Sequence, residues 1–241
     1  MDTTAALPGV DEMLAATTRY LAALTQLDDE SVREPSELPG WSRAHVVAHV
    51  SRNADAFERV IGQAGAGEDA SMYDAAGSRD FDIEETARLK DLAHLVEDAQ
   101  RSARRLERAC RSWGADLDTP YRRVPGDAQT WPMAGIGFRR RAEVEIHHSD
   151  LDLGYLPRDW PPDFSTAMVR QRHEELHARP EGSPSMVLVG TDVEQRWAFG
   201  QGPGPDVRGT VGDLAWWLVG RGGGAGLTCS VDRLPTLGGW R

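Results

Sequence analysis

Apolar residues recur at helical intervals through the first two thirds of the chain. Val10, Met13, Leu14, Leu21, Leu24 and Leu27 share one helix face and predict a helix over residues 9–28. Pro35, Pro39 and Gly40 then mark a loop. A second helix opens at Trp41-Ser42, with Ser42 placed as N-cap and an inward stripe of Val46, Val50, Phe57, Val60 and Ile61. Gly62–Asp80, rich in Gly, Ala and Asp, reads as a long mobile loop that could act as a lid. A third helix is predicted from Asp82 to Trp113, its apolar face formed by Leu89, Leu92, Val96, Ala99, Ala103, Leu106 and Cys110. Residues 114–135 contain Pro120, Pro125, Gly126 and Pro132 and read as irregular. A fourth helix runs from Ile136 to Leu153-Gly154. Four such helices joined by loops pack most simply as a four-helix bundle.

The pattern changes at Pro157–Pro162, which sets the expected division into domains 1–156 and 157–241. A helix is predicted over Phe164–Ala178. Short strands follow at Met186–Val189, Arg196–Phe199 and Val207–Thr210, the first two paired as a hairpin. A helix over Val211–Val219 and a strand over Leu227–Val231 complete the chain. The expected fold class is therefore α+β in two domains: a helical bundle, then a small mixed domain.

Composition narrows the function. The 241 residues carry 38 acids against 27 Lys plus Arg, a formal charge of −11. That argues against nonspecific binding to nucleic acid or anionic membrane, which needs a basic face. No apolar run approaches the ~20 residues of a membrane span. Met1–Ala6 lacks the features of a signal peptide, so a cytoplasmic location is expected. Cys110 and Cys229 are the only cysteines, which rules out a disulfide framework and a cysteine zinc site. Lys90 is the only lysine, a bias of composition rather than of a site.

The densest chemistry lies in the fourth helix. Glu143 and His147 are four apart and share a face, within a run that also holds Glu145, His148 and Asp150. His49 lies on the inward stripe of the second helix. Facing helices could bring His49 to Glu143 and His147, giving three N/O donors and an open fourth position, the pattern of a catalytic zinc site. The bland alternative is a satisfied core histidine beside a surface i,i+4 pair. His45, Glu145 and His148 compete as donors, and His45 and His148 are expected to point about 100° away from the proposed ligands. His173-Glu174-Glu175-Leu176-His177 matches the HExxH zinc-peptidase pattern. Its context is poor: Arg179-Pro180 ends the helix at once, and Glu194 is the only downstream acid offered as a third ligand. Arg221, before Gly222–Gly224, could cap a helix end or bind a carboxylate. There is no phosphate loop and no nucleophile elbow, and Cys110 reads as core.

Three segments together resemble one family. Leu38–Ser42 with Val46–Val50 is similar to the "LPGWS…VVAHV" opening of the mycothiol-dependent maleylpyruvate isomerase N-terminal domain. Arg141–Leu151 resembles that family's second metal segment. Val207–Thr210, Asp213-Leu214 and Trp217–Arg221 resemble its C-terminal "RGT…DL..WL.GR" segment. The resemblance implies a DinB-like four-helix bundle holding zinc through His49, Glu143 and His147, with Arg221 contributed by the smaller domain. It implies mycothiol as thiol cosubstrate and conversion of maleylpyruvate to fumarylpyruvate in gentisate breakdown. A zinc-bound thiolate adds reversibly to the alkene, which frees the bond to rotate. Arg52 and Arg79 are weaker candidates for binding the dianion. A monomer or weak homodimer is expected, with no nucleic-acid or membrane partner. The alternatives are a mycothiol S-transferase acting on another electrophile and a non-enzymatic metal- or thiol-binding module.

Overall fold

Helix boundaries in a computed structural model, which describes residues 6–179 and 182–238, follow the apolar stripes closely in some places and break them in others. Of Met1–Ala6, only Ala6 lies inside the described residues, and Pro180 also lies outside them. The chain divides into two compact units, Met1–Gly154 and Tyr155–Arg241. No helix among the described residues is long and apolar enough to cross a membrane.

In the first unit, helix α1 spans Val10–Ala23 and ends in a short 3-10 turn, Leu24–Gln26. Helix α2 spans Arg43–Gly65 and α5 spans Ile136–Asp150. The α2 start is fixed by a reciprocal cap: Ser42 accepts from the backbone of His45, whose ring returns to the Ser42 backbone. Val46, Val50, Phe57, Val60 and Ile61 are all buried, as the stripe predicts.

The single long third helix does not form. Helix α3 covers Ser78–Leu89 and α4 covers Leu92–Arg111, with Lys90 extended between them. The Asp91 side chain accepts from the His94 N–H at 2.9 Å and starts α4 afresh. Leu89 is consequently exposed, and the buried face of α4 is Leu95, Asp98, Ala99, Ser102, Leu106 and Cys110. Helices α1, α2, α4 and α5 pack as the bundle, and α3 lies against α2.

The presumed loop at Gly62–Asp80 is also mostly structured. Helix α2 continues to Gly65, strand β1 forms at Ala70–Ser71, and α3 begins after Gly77, whose φ of +88° suits glycine. Residues 114–135 are not simply irregular. Strands β2 (Pro120–Arg122) and β3 (Thr130–Pro132) pair antiparallel, and β1 joins β2 in parallel. Tyr121, opposite Ala70 and Trp131, seals this sheet onto Phe57.

The α1 and α5 N-termini approach closely at Gly137, where a Cβ would lie 2.2 Å from the Pro8 carbonyl oxygen. That glycine lets α5 seat deeply enough to bury twelve of its residues.

The second unit is α+β. Helix α6 spans Pro162–His177. Strands β4 (Met186–Gly190), β5 (Arg196–Phe199), β6 (Asp206–Gly209) and β7 (Thr228–Cys229) form one sheet in the order β5-β4-β6-β7. The expected hairpin is β4–β5, antiparallel in register Met186 to Phe199. Strand β4 runs parallel to β6, and helix α7 (Val211–Leu218), which follows β6 in the chain, packs on α6. Thr210 caps α7 by accepting from the Asp213 N–H at 3.1 Å.

Candidate metal centre

Helices α2 and α5 face each other in the bundle, and each contributes to one polar cluster. His49 lies two turns into α2; Glu143 and His147 lie one turn apart on α5. His49 Nε2 is 2.9 Å from Glu143 Oε2, and His147 Nε2 is 3.4 Å from the same oxygen. The two imidazoles meet edge to face, with centroids 4.4 Å apart. One donor atom from each residue lies within 4.8 Å of the others, and this is the only such group among the described residues. Both histidines are buried, whereas the Glu143 side chain is 28% exposed and marks the open side.

The cluster's electrostatics follow from burial against pairing. Burial pushes the His49 pKa down to about 4, aided by the charge of His147, so His49 is neutral at pH 7. Burial acts to raise Glu143, but hydrogen bonds and charge from both histidines outweigh it and hold the carboxyl well below its ordinary range. Burial acts to lower His147, yet hydrogen bonds to Asp150 and Glu143 raise it. Two imidazole nitrogens and a carboxylate oxygen converging in this way suit a divalent transition metal with an open position.

The surroundings orient two of the donors. Asp150, fully buried, places Oδ2 2.8 Å from His147 Nδ1. A proton kept on Nδ1 by Asp150 would free Nε2 for a cation in place of the proton that Glu143 accepts here, the usual carboxylate–histidine support of a metal ligand. Arg79, from the first turn of α3, donates Nη2–H to His49 Nδ1 at 3.3 Å and lies 5.9 Å from the Trp41 ring centroid. A guanidinium can only donate, so in this arrangement His49 carries its proton on Nε2, against Glu143. A cation at Nε2 requires that proton on Nδ1 and Arg79 turned away from it. Tyr73, whose pKa burial raises, accepts from Arg79 and feels the charge of Glu143.

The competing donors are engaged elsewhere. His45 is taken out of the cluster by its cap at Ser42 and by Glu84 at 3.0 Å. The 100° expectation suits His148, the neighbour of His147; His45, four residues before His49, starts from nearly the same face and is drawn off only by capping. Glu145 is fully buried and pairs with Arg19 at 2.5 Å, with Arg141 at 3.8 Å. His148 lies edge-on to Tyr20, and burial pushes its pKa down to about 4. Arg52 pairs with Asp55 and Asp98. In the HExxH segment, the His173 and His177 rings stack nearly parallel, and His173 Nε2 contacts the Ala198 carbonyl oxygen at 2.9 Å. That segment caps a strand edge, and neither it nor Glu194 joins a three-donor group. Cys110 is buried, and burial pushes its thiol up to about 12, which disfavours the thiolate. Arg221 follows α7 in an extended conformation, part-buried, with Nη1 3.5 Å from the Val219 carbonyl oxygen. Sequence reasoning did not single out Asp150 as the partner of His147, although its i+3 spacing carries that signal, and it offered no signal for Tyr73.

Fold and cluster define a protein whose helical bundle presents a His/Glu/His candidate metal centre and whose second unit is a small mixed α/β sheet. The sequence model of the family described as "Mycothiol maleylpyruvate isomerase N-terminal domain" matches residues 13–152, more than half of the chain. The chain belongs to this enzyme family. A solved structure of the mycothiol-dependent maleylpyruvate isomerase aligns with 96% of this chain and 95% of its own, at 24% identity and a TM-score of 0.86. A histidine-to-alanine mutant of that isomerase aligns over the same shares, at 23% identity and 0.85. At these identities the likeness is one of fold. No curated protein matches the sequence.

Proposed function

We propose that this protein is a cytoplasmic, zinc- and mycothiol-dependent isomerase that converts maleylpyruvate to fumarylpyruvate. The observation that carries this reading is the convergence of His49, Glu143 and His147 inside the segment matched by the family model.

His49, Glu143 and His147 would hold the metal, and Asp150, 2.8 Å from His147 Nδ1, would keep His147 in the tautomer that offers Nε2. A zinc ion at such a site supplies a lowered thiol pKa and a place for the thiolate beside the substrate. The cis double bond of the substrate cannot rotate while it is double. Sulfur adds to the alkene carbon, and the π electrons move to the conjugated carbonyl oxygen as an enolate. Rotation about the new single bond follows. The electrons then return, the C–S bond breaks, and the thiolate leaves unchanged with the trans product. No proton need be consumed and no redox partner is needed. Arg79, beside His49, offers positive charge to the dianion. Arg221 is proposed as the group that binds a substrate carboxylate or the enolate oxygen. A charge-assisted contact of this kind contributes about 1.5–3 kcal/mol.

The test pairs metal analysis by mass spectrometry with an absorbance assay. One zinc per chain, lost in His49→Ala, with conversion only when mycothiol is present, is the expected result. Arg221→Ala is expected to keep its zinc and lose turnover. Stoichiometric zinc with a stable thiol adduct as product would move the reading to an S-transferase. Absence of bound zinc, with no gain on adding it, would overturn the metal assignment.

A further inference from the structure

Beside the cluster, between α2 and α3, lies a cleft of about 340 Å³, at the lower end of the range for small-molecule sites. It connects to the metal cluster through two residues. Tyr73 on its wall accepts from Arg79, and Arg79 Nη2 lies 3.3 Å from His49 Nδ1. The cleft therefore adjoins the cluster without sharing its donors.

Its chemistry is unlike that of an anion site. Arg52 and Arg59 supply two guanidiniums, but Asp55, Asp74, Asp82 and Glu85 supply four carboxylates. The excess of negative charge repels a dianion. Asp55 is paired with Arg52 and Arg105, and Asp74 with Arg59. Asp82 and Glu85, both exposed on α3, form no ion pair among the described residues. Arg52 Nε is buried and has no acceptor among them. Alternating acceptors and donors with a modest apolar wall, here Met72 and Ala56 beside Tyr73, suit a ligand that is rich in hydroxyls and uncharged. Each hydroxyl both donates to a carboxylate and accepts from a guanidinium.

We propose that this cleft binds the polyhydroxylated, uncharged part of the thiol cosubstrate and so delivers its thiol arm to the metal cluster. The proposal rests on the thiol-dependent reading above. Mycothiol carries its thiol on an amide-linked glucosaminyl-inositol unit, a neutral polyol of the class the cleft selects. Binding energy from that non-reacting part is available to position the sulfur.

The test is calorimetric titration of zinc-loaded full-length protein with two probes, intact mycothiol and the thiol-free, uncharged N-acetylglucosaminyl-inositol. Wild type is compared with the double variant Asp82→Asn/Glu85→Gln, whose exposed sites leave folding and zinc content intact. Both probes are expected to bind wild type and to bind the variant at least tenfold more weakly. In turnover, the variant's KM for mycothiol is expected to rise by the same factor, while its KM for maleylpyruvate stays put. Equal mycothiol affinity in both proteins overturns the cleft and leaves the thiol reading standing. Binding of neither probe to wild type at millimolar concentration overturns both, and identifies the thiol reading as the part that failed.

Discussion

Two buried carboxylates on α5, two turns at most from the candidate metal cluster, have opposite duties. Asp150 faces His147 Nδ1, whereas Glu145 faces Arg19 and Arg141 on the other side of the helix. Asp150→Asn replaces an acceptor for the imidazole N–H with a side chain that can also present N–H. Zinc affinity in that variant is expected to fall about 10–100-fold, read by competition with a chromogenic chelator. Glu145→Gln is expected to keep wild-type zinc affinity and to cost about 1–3 kcal/mol in denaturant unfolding, because it leaves buried Arg141 less well neutralised. Equal losses of zinc in both variants would contradict the division of labour. The pairing of Glu143 with His147 was legible from spacing, because i and i+4 share a helix face. The choice among His45, Glu145 and His148 was not, since it depends on which neighbour each side chain meets across the bundle.

At the scale of elements, α3 and α4 show what pattern alone conceals. The apolar stripe continues through Leu89 and Leu92, so nothing in the spacing announces a break; the Asp91 cap and extended Lys90 impose it. Strands of two or three residues such as β1 and β2 are too short to display alternation, which is why both segments read as loop. The break is held by Asp98, which receives Lys90 Nζ and Arg52 Nη2, each at 2.6 Å, and so ties α4 to α2 and to the end of α3. Burial acts to raise the Asp98 pKa, but these hydrogen bonds and charges outweigh it and the net shift is downward. A depressed carboxylate contributes stability that is present above its unfolded pKa, near 4, and lost as pH falls through the folded value. Asp98→Asn is expected to cost about 1 kcal/mol at pH 7 and to flatten the fall in stability below about pH 4. Urea unfolding at a series of pH values reads both, and parallel acid limbs for the two proteins would remove Asp98 from the explanation. Packing sets a second limit. Gly137→Ala puts a methyl against the Pro8 carbonyl and is expected to destabilise by about 1–3 kcal/mol through displacement of α1 from α5.

For the molecule as a whole, the cluster joins α2 and α5, helices separated in sequence by α3, α4 and the small sheet. A cation held by His49, Glu143 and His147 binds only when those helices are docked, so its binding free energy adds to the stability of the docked bundle. Free zinc at about 100 times its Kd contributes about 2.7 kcal/mol, which corresponds to roughly 100-fold slower amide exchange where exchange follows the opening equilibrium. Hydrogen exchange of the full chain is therefore expected to slow markedly in α2 and α5 on adding zinc. Strands β4 and β6 of the second unit supply no donor to the cluster and are expected to keep their local exchange rates. His49→Ala should abolish the zinc effect without changing the exchange of β4. Slowing confined to one of the two helices would mean that the cation is held by that helix alone. The facing arrangement that brings His49 to Glu143 would then not be the metal-bound one.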